Sequence, residues 1–374
     1  MDAAEAKYHV VKDPMLAREV LRQPDVFSPV NALVAVKPLT GQSLRILQRA
    51  KFALPPILAS NDTGTHSGVR RVVSGFFTPA TVAAIEPRMR EIARAAATEA
   101  KRSLETGQPI DLVEAVAARP PAILMLEMLG LPVRDVARLK AWSRESLELF
   151  WGWPDDDRQL VLAESAADFY RWLRELILEA VASPRRNLFA SLAEHGLSTP
   201  ELCSLGYFLL IAGQETTSQL ISTVLFRLLE SPNAAGIPAL ASAATRAGAT
   251  LAVRRVLAEE SSVPTWRRVT TRSVQLGGEV LPAGSEILLE LTGNHGPDAR
   301  PTDYSLAFGS GIHRCLGAKL AEMEAAVVVQ ETSLALSGVH LVDPSPEWTR
   351  LLSFQSPRNV TVTRRSAPTR RSST

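Results

Sequence analysis

Along most of this chain, apolar residues recur every three or four positions, which is the spacing of helices with one buried face. Tyr8–Val11 is an exception and reads as a short strand, followed by a helix over Pro14–Arg22 with Met15, Val20 and Leu21 as its apolar positions. The stretch 31–61 reads as irregular, because Pro38, Pro55 and Pro56 interrupt any helix there. Helical spacing returns at His66 and predicts helices over 80–105, 112–129, 133–151 and 159–182, with a Gly-, Pro- and Asp-rich break at 152–157. Thr199-Pro200-Glu201 has the form of a helix start: Thr199 as cap, Pro200 in the first turn, Glu201 at the positive end of the dipole. The run 202–230 that follows is long and largely apolar, so a central buried helix is expected.

Strand chemistry is confined to two regions. One is 269–289, with turns at Gly277-Gly278 and Pro282-Ala283-Gly284, and the other is 339–365. The pattern predicts a mainly α protein with small β-sheets. No repeat or linker divides it, so 1–365 is expected to form one domain, and the Ser-, Thr-, Pro- and Arg-rich 366–374 a disordered tail.

Composition narrows the function. The 374 residues are 46% hydrophobic and 21% charged with a net charge of +2, too even to argue for nucleic acid or a membrane surface. Cys203 and Cys315 do not suggest a disulfide framework. With no apolar signal core at the start and no run long enough to span a bilayer, cytoplasmic residence is the expectation.

Residues 308–317 read Phe-Gly-Ser-Gly-Ile-His-Arg-Cys-Leu-Gly. An isolated cysteine is usually a small buried hydrophobe. Here Gly309 and Gly311 allow a tight loop, and the helical spacing of 316–334 places Cys315 at a helix N-terminus, where backbone N–H groups favour a thiolate. The central run carries Ala212-Gly213-Gln214-Glu215-Thr216-Thr217, in which Thr216 could simply bond back to the carbonyl four residues earlier. His66 and Arg70 are four apart and share a helical face, which could also be a solvated basic surface.

These segments together resemble the cytochrome P-450 family over nearly the whole chain, from about Tyr8 to Arg365. The resemblance implies the P-450 fold, haem b as cofactor and Cys315 as the metal ligand. It implies Glu215 and Thr216 as the catalytic acid–alcohol pair that manages protons, and His66, Arg70, Arg268 and His313 as partners of the haem propionates. A monooxygenase is implied, inserting oxygen into a small organic substrate or driving oxidative coupling or ring closure, with a ferredoxin-type electron donor. The rival is a non-catalytic P-450-like helper of a partner enzyme. Lys37, Arg45, Arg49 and Lys51 suit an anionic or carrier-tethered substrate, or simply a solvated loop surface.

The sequence departs from the family in three places. The Glu and Arg of the helix K motif E-x-x-R fall on Arg255 and Ala258. The following meander is short, with Arg300 the one candidate for a third member of that triad between Asn294 and Ser305. The first helix and strand of the family are expected to be absent, so the fold should be shortened at its N-terminus.

Overall fold

The computed structural model describes residues 7–230, 239–293 and 306–364. Helices dominate. In chain order they are α1 (Pro14–Arg22), α2 (Gly41–Arg49), α3 (His66–Ser74), α4 (Pro79–Glu105), α5 (Arg119–Leu129), α6 (Val136–Trp151), α7 (Asp156–Ala182), α8 (Leu188–Glu194), α9 (Thr199–Leu210), α10 (Thr216–Glu230), α11 (Arg246–Glu260) and α12 (Ala318–Ala335).

Their starts are set by local chemistry. Asp13 accepts from the Met15 and Leu16 amides at 2.8 Å ahead of Pro14, and Thr78 and Asp155 cap α4 and α7 in the same way. At α9 the cap is Ser198, one residue earlier than Thr199. The reason is that Glu201 reaches back to accept from the Ser198 amide at 2.8 Å, closing a capping box around Thr199 and Pro200.

The stretch expected to be irregular contains α2 and a 3-10 turn at Leu58–Ser60. Pro38 lies before α2 and Pro55 and Pro56 lie after it, so none interrupts it. Thr40 caps it by accepting from the Ser43 amide at 3.2 Å.

Four strands form the main sheet: β1 (His9–Val11), β2 (Phe27–Ser28), β4 (Thr265–Thr270) and β7 (Glu286–Glu290), in the order β1-β7-β4-β2. β3 (Ile110–Asp111) pairs with β11 (Thr361–Arg364), which also pairs with β8 (Val339–Leu341). β5 (Val274–Leu276) with β6 (Glu279–Leu281), and β9 (Trp348–Arg350) with β10 (Gln355–Pro357), form antiparallel pairs. Gly277 and Gly278 both have positive φ and make the two-residue turn between β5 and β6.

A smaller apolar cluster lies against the main sheet, and two large ones fill most of the helical interior. One gathers α5 to α9 around Trp142, Phe169, Phe189 and Tyr207. The other gathers α4, α10, α11 and α12 around Met89, Ile221, Val253 and Val328. A single rod, α9 continued by α10, runs from the first into the second. Between its halves the helix widens into one π-turn at Ile211–Glu215, the local distortion often found at functional sites.

In α11, Arg255 donates to Glu259 at 3.0 Å on an exposed face, while Ala258 is 6% exposed and packs as a small apolar residue. Arg300 and the tail 366–374 lie outside the described residues. Ala258→Arg is expected to lower stability by on the order of 3 kcal/mol, because it buries a charge with no acidic partner placed for it. Thermal melts of the two proteins check this, and a higher melting temperature for the mutant would contradict it.

Candidate active site

A cavity with about 310 Å3 of space open to the centre of a water molecule lies between the π-turn of the central rod and the loop before α12. Its walls are mostly apolar, with Leu33, Ile57, Trp151, Phe208, Val263 and Phe354 among them. Cys315 and Thr216 also line it.

The cysteine loop is held by its own backbone. The Cys315 amide donates to the Phe308 carbonyl at 2.8 Å. Gly309 and Gly311 have φ of 69° and 71°, as a loop needing glycine requires. At Gly311 the close approach is to α1: a Cβ there would lie 2.5 Å from the Leu21 carbonyl oxygen. Cys315 lies in the interior yet its side chain is accessible, because it faces the cavity. Burial pushes its thiol up, whereas the Gly317 amide, Arg314 and Arg70 act to lower it. The other cysteine, Cys203, is fully buried among apolar side chains of the first cluster.

Cationic and imidazole groups gather at one side of the cavity from three separate stretches of chain. Arg268 comes from β4 and is 1% exposed; its Nη1 donates only to the neighbouring Arg267 carbonyl, at 2.8 Å. Burial pulls its guanidinium down to about 10. Arg70, from α3, donates to the Arg314 carbonyl at 2.6 Å and so ties that helix to the cysteine loop. His313 donates from Nε2 to the Asn61 carbonyl at 2.9 Å. Burial lowers it to about 4, and Arg268, His66 and Arg70 add to the effect. Arg70, Arg268 and His313 line the cavity; His66 instead sits behind, its ring 4.7 Å from that of His313.

The residues of the central rod separate. Thr216 faces the cavity and donates to the Ala212 carbonyl at 2.7 Å across the π-turn. Ala212 is exposed to the cavity, and Gly213 leaves room for Met125, whose sulfur would lie 2.6 Å from a Cβ there. Glu215 turns away. It is buried against Lys140 of α6 in a very short ion pair, and Arg144 Nε lies 3.7 Å from its other oxygen. Lys140 also donates to Gln214 at 2.7 Å and Ser218 at 2.9 Å, so all three of its protons are used. Burial lowers its amine, and Glu215 opposes that. Sequence reasoning missed Lys140. The available signal was a lone lysine one turn after Val136 and one before Ser143 and Arg144, in a helix whose other inward positions are apolar or serine.

None of Lys37, Arg45, Arg49 and Lys51 lines the cavity. Lys37 instead donates to the Pro154 carbonyl at 2.8 Å and to Asp156 at 3.0 Å, and the other three are exposed.

The fold and site can now be set beside known proteins. No family model matches the chain. The cytochrome P450 monooxygenase PikC of Streptomyces venezuelae is 32% identical over 305 residues, covering 76% of this chain and 70% of that protein. The erythromycin C-12 hydroxylase of Saccharopolyspora erythraea is 31% identical over 325 residues, covering 80% and 77%. Among solved structures, cytochrome P450 CREJ in complex with (4-ethylphenyl) dihydrogen phosphate superposes with a TM-score of 0.86 at 26% identity, covering 96% of this chain and 92% of that one. The fold is thus that of a P450. The chain belongs to the cytochrome P450 family and is an enzyme of the monooxygenase type rather than a helper. Membership implies a haem cofactor, a small-molecule substrate and a redox partner.

The residues present fit a haem. Three buried polar atoms beside the cavity have no hydrogen-bond partner: Nε of Arg268, Nε2 of His66 and Nδ1 of His313. Nε of Arg268 is an orphaned buried donor, and the two imidazole nitrogens become donors on protonation, so an anion such as a carboxylate would satisfy all three. A carboxylate placed there would favour protonated His313, which could then donate from both nitrogens.

Lys140→Met is expected to cost ~3–5 kcal/mol, because it leaves the Glu215 carboxylate buried without its close partner. Adding Glu215→Gln should recover most of that loss. Melting temperatures of the two single mutants and the double mutant check this; an additive double mutant would mean the pair is not coupled.

Proposed function

We propose that Cys315 would hold the iron of haem b, with His66, Arg70, Arg268 and His313 as partners of its propionates and Glu215 and Thr216 managing protons. The observation that carries this reading is that Cys315, Thr216, Arg70, Arg268 and His313, from four separate stretches of chain, line one apolar cavity. When bound, a thiolate-ligated haem activates dioxygen for transfer of one oxygen atom to an organic substrate.

The protein's own contribution is placement. The Gly317 amide and the nearby cations favour the sulfur anion. The apolar walls orient an uncharged substrate and exclude bulk water. The Thr216 hydroxyl spends its proton on Ala212, and its lone pairs remain to hold a proton donor in the cavity. Glu215 lies beside it in sequence but is held by Lys140, so it can exchange protons with the cavity only when that pair loosens.

Among the described residues the cations that line the cavity, Arg70, Arg268 and Arg314, gather beside His313, and the apolar remainder of the walls supports a neutral substrate over an anionic one. Similarity to an enzyme named for hydroxylating erythromycin supports hydroxylation of a sizeable secondary metabolite. Arg246 and Lys319 line a cleft between α4, α11 and α12, four residues of chain from Cys315 in the case of Lys319. Their charge suits an acidic, ferredoxin-type donor. Among the described residues no helix is long and apolar enough to cross a membrane. With such a donor we place the enzyme in the cytoplasm, and we read 1–365 as one domain.

The ferrous protein with carbon monoxide should give the strongly red-shifted Soret band of a thiolate-ligated haem. Cys315→Ala should abolish that band and Cys203→Ala should preserve it; a band indifferent to Cys315 would refute the ligand assignment. Thr216→Ala should retain haem yet divert reducing equivalents into peroxide. The ratio of product to peroxide measures this, and an unchanged ratio would remove Thr216 from proton delivery.

A further inference from the structure

One wall of the cavity has a chemistry of its own. Trp151 at the end of α6, Trp266 in β4 and Phe354 in the turn between β9 and β10 all line it. Their rings form a single cluster. Trp151 and Phe354 meet edge to face at 4.9 Å between centroids, and Trp266 lies 6.3 Å from each of them. This wall is tied to the Thr216 side of the cavity. Ser262 donates to the Thr216 carbonyl at 2.9 Å, and the amide of Gln355, next to Phe354, donates to the Ser262 carbonyl at 3.0 Å. The turn is fastened at two further points: the Leu352 amide donates to the Trp151 carbonyl at 2.9 Å, and Thr265 Oγ1 donates to the Leu352 carbonyl at 2.6 Å. Three aromatic side chains from three elements are thus held as one surface.

Two features set this surface apart from ordinary core packing. Trp266 is only half-buried, although β4 is an inner strand of the main sheet. Trp151 is buried, yet its indole N–H has no acceptor. A buried indole N–H usually finds a partner, because leaving it unmet forfeits the hydrogen bond it made with water. The hydroxyls of Ser262 and Thr265 are committed to backbone carbonyls. Aromatic rings favour edge-to-face or offset contact with other rings, since ring edges are positive and ring faces negative. Such faces also attract cations. Here Arg70, Arg268 and Arg314 already bring positive charge to the cavity, and among the described residues no Asp or Glu lines it to offset a further cation. A neutral ring is therefore the better match.

We propose that this wall selects the substrate, a neutral molecule that carries an aromatic ring and an oxygen acceptor. The ring packs against Trp266 and Phe354, and the oxygen accepts from the Trp151 indole. The three residues are specificity-determining residues for the reaction. The inference rests on the reading of this cavity as the monooxygenase site and names the class of substrate for it. The band lost in Cys315→Ala tests that reading separately, whereas substrate selection is read by calorimetry, without the haem spectrum.

Three uncharged probes of similar size separate the two features. Benzophenone has rings and an acceptor, diphenylmethane has rings alone, and dicyclohexyl ketone has the acceptor alone. Their binding to the haem-loaded full chain is measured by isothermal titration calorimetry. Benzophenone should bind about tenfold more tightly than either of the others, the scale of one hydrogen bond or one set of ring contacts. Trp151→Phe keeps a ring and removes the N–H. It should weaken benzophenone by about tenfold and leave diphenylmethane unchanged. Phe354→Leu keeps an apolar side chain and removes a ring. It should weaken both aryl probes and leave dicyclohexyl ketone unchanged. The inference is overturned if benzophenone does not bind, or if either of the other probes binds the unaltered protein as tightly. It is overturned equally if Trp151→Phe leaves benzophenone unaffected, as it would if water met the N–H, or weakens all three probes alike, as it would if the ring served packing alone. The order of the three probes on the unaltered protein decides the matter even where a variant fails to fold.

Discussion

A sulfur anion inside a protein is opposed by desolvation, which pushes the Cys315 thiol up. In the haem-thiolate reading proposed above, the groups around Cys315 act to overcome that opposition. The anion needs a donor within the loop, which Gly317 supplies. It needs positive potential nearby, which Arg314 and Arg70 supply. It needs a loop too tight for ordinary residues, which Gly309 and Gly311 permit. Arg70 serves twice, as nearby charge and as the hydrogen-bond donor that fastens α3 to the Arg314 carbonyl.

The same low dielectric governs the opposite wall. The central rod must pass an apolar cavity while carrying a carboxylate, and it does so by widening into a π-turn that sends Thr216 toward the cavity and Glu215 away from it. There Glu215 is met by Lys140, buried to the same degree. A buried ion pair contributes little net stability but strongly penalises any arrangement in which only one partner is present. That penalty ties α6 to the rod in one register. It also keeps the Glu215 carboxylate turned away from the cavity.

The altered helix K follows from similar reasoning. A buried Glu–Arg pair is costly to half-remove and nearly neutral to remove whole. Here both positions are replaced together, one by an exposed Arg255 paired to Glu259 and one by a packed Ala258. Contacts between α11 and α12 then fall to apolar packing and to Arg254 with Glu322.

Much of this was legible in the linear order of residues. Helix positions followed from periodicity because burial of one face is a local repeat, and the cysteine loop from glycines whose positive φ no other residue adopts readily. The exceptions have local causes that periodicity does not register. Thr40 and Ser43 begin a helix between prolines, and Glu201 draws the cap of α9 back to Ser198. What the linear order could not decide is direction. Glu215 and Thr216 are adjacent, yet a widened turn points them to different environments. His66 and His313 are 247 residues apart in number, yet their rings touch. Lys140 and Glu322 look like ordinary surface charges until the helices facing them are known. Which neighbour a side chain meets is set by packing between distant segments, and only the tertiary structure determines that.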